Sequence, residues 1–173
     1  MATTTTLTDA TSSLLRRGLL WLAALTTVGM AADLATARHW TQAIQLVAWA
    51  AIALLAAAIA LLLWRPSAVR VRIAQALAMI VVASAIIGVW QHVVANYDAG
   101  ELDYRHAQTW GSTPEATRWW LAATASVGPS PPFAAGALAQ AGLVVLLATL
   151  RHPSLRTRGA TPSGVQTETH TSG

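Results

Sequence analysis

The sequence predicts an all-α integral membrane protein: a four-helix bundle with both termini in the cytoplasm and a long extracytoplasmic loop between its third and fourth spans. Three observations carry this expectation. Charged residues are 10% of the 173 and hydrophobic residues 54%, whereas soluble domains average about a quarter charged. Mean hydropathy is +0.48. The apolar residues also fall into four runs flanked by arginine.

The first run, 18–36, follows Arg16-Arg17. The second, 41–64, holds no charge. Its roughly 24 residues, at about 1.5 Å each, reach about 36 Å and exceed a hydrocarbon core of about 30 Å. The third, 71–96, carries Arg72 at its start. The fourth, 132–150, opens on Pro131-Pro132 and stops at Arg151; proline suits a first helical turn, whose N–H groups have no intrahelical partner. Together these make a membrane domain over 14–152. The flanking stretches 1–13 and 153–173 are polar, with no apolar face to bury, and read as disordered cytoplasmic tails. Within the outer loop, 97–130, the stretch 115–127 is amphipathic and reads as a short helix on the membrane surface. Thr113 is its expected N-cap, with Pro114 at the first helical position.

Orientation follows from the arginines, because the side richer in basic residues stays in the cytoplasm. Arg16, Arg17, Arg65, Arg70, Arg72, Arg151, Arg156 and Arg158 share one side, and only Arg38, Arg105 and Arg118 the other. The second side also gathers Asp33, Asp98, Glu101, Asp103 and Glu115. Trp21 and Trp64 then mark the inner interface, and Trp40 and Trp90 the outer one. An alternative stays open for the first run: Arg16-Arg17, an apolar stretch and Ala35-Thr36-Ala37 also resemble a signal peptide with its cleavage site. Cleavage would leave three spans in the same orientation.

The net charge of +4 does not point to nucleic acid, since it comes from arginines that flank apolar runs, with no lysine in the chain. The absence of cysteine removes disulfides, thiolate metal sites and Cys nucleophiles. It also excludes the four-helix quinone-coupled disulfide oxidoreductases.

Polar side chains inside a bilayer are costly, so their placement is informative. Ser84, Gly88, His92 and Asn96 recur every fourth residue and share one face of the third span. Gly29 and Asp33 form a similar stripe on the first. Gln45 opens the second, and Gln140 sits near the middle of the fourth, one turn from Gly136. The small residues Ser84, Gly88, Gly29 and Gly136 read first as helix contacts. Gln45 and Gln140 read first as interhelical hydrogen bonds. Asp33 is simply hydrated at the interface in the blandest reading. His92 with Asn96 is the sharpest pair: it can be a hydrogen-bonded helix end, or a site where imidazole meets a metal, a haem iron or a substrate carbonyl. A zinc site would want three or four ligands, and only His92 is firmly placed.

The segment Gly88-Val89-Trp90-Gln91-His92 followed by Asn96, then Pro132-Phe133-Ala134-Ala135-Gly136-Ala137, Gln140-Ala141-Gly142-Leu143 and Arg151-His152-Pro153, resembles a family of small, uncharacterised four-span bacterial inner-membrane proteins. Phe133 stands where the family more often has Leu. The resemblance covers about a third of the chain. It implies a four-helix protein of the bacterial inner membrane and brings no activity with it.

Three functions compete. The simplest is a structural or accessory subunit, with the bilayer and a membrane protein or second copy as partners, no nucleic acid and no cofactor. The alternative is an outer-face site for a metal, haem or small ligand, centred on His92 and Asn96 and lined by Asp33, Gln45 and Gln140, with His92 the metal ligand. The third is a small oligomeric transporter, which would want a carboxylate at mid-membrane where none occurs. Enzyme activity is weakest: Asp33 and His92 could pair as acid and base, but no nucleophile motif accompanies them.

Overall fold

The computed structural model describes residues 2–156. Among the described residues the α-helices are α1 (Ala2–Thr36), α2 (Leu46–Leu63), α3 (Ala68–Asp98), α4 (Glu115–Ala123), α5 (Ala134–Thr149) and α6 (Pro153–Arg156). No strand occurs among the described residues. α1, α2 and α3 are long and apolar enough to cross a membrane, and α5 is a shorter apolar helix of 16 residues. α1 extends back to Ala2, so the Thr-rich stretch expected as a disordered tail continues the helix. The expected second tail lies outside the described residues beyond Arg156.

α1, α2, α3 and α5 form an antiparallel ring, each packed against the two beside it. The start of α1, the end of α2 and the end of α5 meet at one end. The end of α1, the start of α2, the end of α3 and the start of α5 meet at the other. Because the sequence between helices is short at the first two turns, sequential helices become neighbours.

The core is built from small residues. Leu20 and Ala23 of α1 meet Leu55, Ala58 and Leu62 of α2, Val71, Ala74, Ala78 and Val81 of α3, and Ala141, Val145 and Ala148 of α5. Within a bilayer, packing rather than water exclusion drives helix association, so close backbone approach matters most. The α3–α5 seam shows it. A methyl on Gly142 would lie 3.0 Å from Val82 Cγ2 and 3.1 Å from the Ala78 carbonyl, and one on Gly88 would lie 2.8 Å from Ala135 Cβ. Gln75 Nε2 donates to Thr149 Oγ1 at 3.0 Å across the same seam. Gly29 and Gly136, expected at contacts, face open space instead.

Helix ends are finished by local bonds. Ser67 Oγ accepts from the Arg70 amide at the start of α3. Arg70 Nη1 reaches back to donate to the carbonyls of Trp64 (2.9 Å) and Arg65 (3.1 Å), just past the end of α2. Such carbonyls have no intrahelical partner. Arg38, Arg65 and Arg151 follow α1, α2 and α5 in left-handed conformations, with φ near 50°. A cation there also complements the negative end of the helix dipole.

Candidate functional site

Between α3 and α5 the chain folds into a small cap on the end of the bundle. Its centre is Trp110, 2% exposed, packed with Val93, Ala122 and Val127. Gly100 makes room for it, since any side chain there would overlap the indole. Tyr97 stacks on Trp119 at 4.2 Å and meets Trp110 edge-on at 5.6 Å, and Trp119 in turn stacks on Trp90 at 5.5 Å. The Arg118 guanidinium lies 5.5 Å from the Tyr97 ring and 5.9 Å from Trp110. α4 is therefore docked on α3 by its tryptophan face. The chain enters α4 without the Thr113 cap: the first helical bonds run back to the Pro114 carbonyl, while Thr113 Oγ1 donates to Thr109 O.

Asn96 ties this cap to the bundle. It is fully buried, and its Nδ2 donates to the carbonyls of Ala122 (3.1 Å) and Ser130 (2.7 Å) while Oδ1 accepts from the Ser130 amide at 2.8 Å. Gly128, at φ 74°, passes directly over it, where a methyl would fall 2.7 Å from Asn96 Cα. Asp103 adds a second tie, accepting from Arg105 at 2.7 Å and from the Gly128 amide at 3.3 Å. The Arg105 guanidinium and amide hold its carboxyl well below the usual carboxylate range, with Gly128 contributing less.

Under the cap lies a cavity of about 510 Å³. Asp33 near the end of α1, His39 in the turn that follows it, Gln42 and Gln45 before α2, Gln91 and His92 from α3, and Ser130 supply its polar rim. Met30, Ala51, Ala85 and Leu138 form an apolar floor that descends α3 as far as Ser84. From His92 to Ser84 is about 12 Å along a helix. The spacing of His92, Gly88 and Ser84 makes this wall possible: all three line the cavity. The rim is held in place locally, since Trp49 Nε1 donates to the His39 carbonyl at 2.8 Å and the Trp49 ring packs on Trp40.

The residues singled out from sequence separate into two groups. His92, Asp33, Gln45, Ser84 and Gly88 reach the cavity. Gln45 arrives with its carbonyl committed, since Oε1 accepts from the Thr41 and Gln42 amides and caps the first turn before α2. Asn96 does not line the cavity, because the cap's backbone occupies its amide. Gln140 is exposed on the outer surface of α5. His39, Gln42, Gln91 and Ser130 were not selected from the sequence. All four lie near the loop end in any helical reading, but their convergence depends on helix rotation.

Chemically the site offers two imidazoles, one carboxylate and several amides and hydroxyls above an alanine-lined floor. Among the described residues no three His, Asp or Glu side chains come together as a metal-ligand set. Such a cavity suits one small molecule whose polar end hydrogen-bonds and whose remainder is apolar. No protein-family model, curated protein or solved structure matches this chain.

Proposed function

We propose that the chain is a small multi-pass protein of the bacterial inner membrane that binds a small amphipathic ligand in its loop-end cavity. Both termini face the cytoplasm in this reading, and His92 is the principal hydrogen-bonding group. The observation that carries it is the cavity itself: polar groups from all the bundle's loop-end segments ring a volume whose floor is apolar. The excess of arginine at the opposite end supports the orientation. Reporter fusions after Arg65 and after Asp98 test it, with a cytoplasmic signal expected from the first and an extracytoplasmic one from the second.

Ligand binding is tested on detergent-purified protein by mass spectrometry of its organic extract, by absorption spectroscopy and by trace-metal analysis. Wild type is compared with His92→Ala and with Ala85→Leu, which fills the floor. One species should co-purify near stoichiometry with wild type and be lost from both variants. Identical extracts from all three proteins would sink the reading.

A second reading, an accessory subunit of a membrane complex, is favoured by one specific observation. Gln140 lies exposed near the middle of α5, and Gly136, one turn away, has open space above it. A polar side chain at that depth gains from a hydrogen-bonding neighbour, and a glycine lets another helix approach. Photo-crosslinking from position 140 in intact membranes tests it; a discrete adduct abolished by Gly136→Leu is the expected result.

A further inference from the structure

At the opposite end of the bundle lies a second cavity, of about 230 Å³. Arg16, Arg17 and His152 supply its polar groups, and the buried Leu20, Leu62 and Ala148 form its floor. No acidic side chain lines it among the described residues. Two of the polar groups are already oriented. Arg16 Nη2 donates to the Arg151 carbonyl at 3.2 Å, which uses one of the five N–H donors of a guanidinium. His152 Nδ1 accepts from the Ser154 amide at 3.3 Å, so the imidazole proton sits on Nε2, a donor. Burial and then the neighbouring Arg16 push the His152 imidazole down. Crowded positive charge of this kind is relieved by an anion.

We propose that this cavity binds the phosphate ester of an anionic phospholipid. Arg16 and Arg17 donate to the phosphate oxygens in the fork geometry that suits such groups, and His152 Nε2 adds a third donor. The wall explains why the phosphate belongs to a lipid. Leu63, 41% exposed, lies at the cavity mouth and offers an apolar path for the first acyl carbons. Basic pockets between spanning helices on the cytoplasmic side recognise acidic headgroups in this way. The inference rests on the membrane reading above but not on the loop-end cavity.

The test is native mass spectrometry of the full-length protein in neutral detergent, titrated with phosphatidylglycerol or phosphatidylcholine. Phosphatidylglycerol should bind in preference, with a one-lipid adduct dominating. Arg17→Gln should weaken that adduct about fivefold. Arg72→Gln, at the same end but outside the cavity, should leave it unchanged. Arg16→Gln should also weaken it, but it removes the bond to Arg151 as well, so Arg17→Gln decides. Equal binding of phosphatidylcholine would overturn the proposal, as would an equal loss in Arg72→Gln, which would signify a diffuse surface charge. Displacement of the lipid by equimolar inorganic phosphate would assign the site to a soluble anion and overturn the lipid source. Recovery of the protein without detergent would instead defeat the membrane reading, and is seen before any titration.

Discussion

Replacing Asn96 by alanine would leave the Ser130 amide and the Ser130 carbonyl without their partner, while the Ala122 carbonyl keeps the Ala125 amide. Each unsatisfied group costs about 1–3 kcal/mol, so Asn96→Ala should be among the most damaging single changes at the loop end. A thermal-unfolding midpoint well below wild type in detergent is the expected result, with early proteolysis of the loop between α3 and α5. Gly128→Ala should fall in the same direction, since its backbone is left-handed and its methyl would meet Asn96. His92→Ala should barely move the midpoint, because His92 lines a cavity rather than filling a core. Helical spacing placed His92 and Asn96 on one face, but not their opposite roles. The partners of Asn96 are backbone groups 26 and 34 residues away, and no side-chain pattern records them.

At the scale of the helix, the α3–α5 seam can be probed through its glycines. Gly142→Val should force the two helices apart, at about 1–3 kcal/mol. Gly136→Ala meets open space and trades a weak helix former for the best one, a gain of up to about 1 kcal/mol. Opposite shifts in unfolding midpoint check the pair; a shared direction would show that the seam is not where the helices are held. The four apolar runs were legible because helix length and missing charge are local properties. Which face of α5 packs was not. Gly136 and Gln140 lie one turn apart on the outer side, whereas Leu138, Ala141, Gly142 and Val145 face inward, and a helix apolar all round carries almost no periodicity to distinguish the two.

Across the whole molecule, the two ends respond differently to acid. The His152 imidazole is pushed down, so folding favours its neutral form. Stability is then full above the ordinary histidine value of about 6.5 and falls as pH drops below it. The Asp103 carboxyl is held down by Arg105, so its contribution persists below the ordinary carboxylate range and is lost only as pH falls through the lowered native value. The unfolding midpoint should therefore decline in steps as pH falls, with His152 contributing to the first and Asp103 to the last. His152→Asn should lessen the early decline and leave the later one, which Asp103→Asn should lessen in turn. The division of charge between the ends was readable from sequence because arginines mark helix ends. A polar gathering at the loop end was readable as well, but the exact lining of its cavity was not, nor was the arginine-end cavity between α1, α2 and α5, since both need several helix rotations fixed together.

Pro129, Ser130 and Pro131, in the connection from α4 to α5, lie outside any helix and form one wall of the loop-end cavity. Irregular backbone at membrane depth survives only where protein covers it or water reaches it. That wall borders a cavity that runs down to Ser84, and water admitted there would enter the bilayer along it. A chain without cysteine is ready for the measurement. Ser84→Cys should react with a membrane-impermeant maleimide in intact vesicles, while Ile86→Cys, exposed on the lipid side of the same helix, should not. That pattern of labelling would mean that the hydrophobic barrier this protein presents is thinner along its axis than the lipid around it.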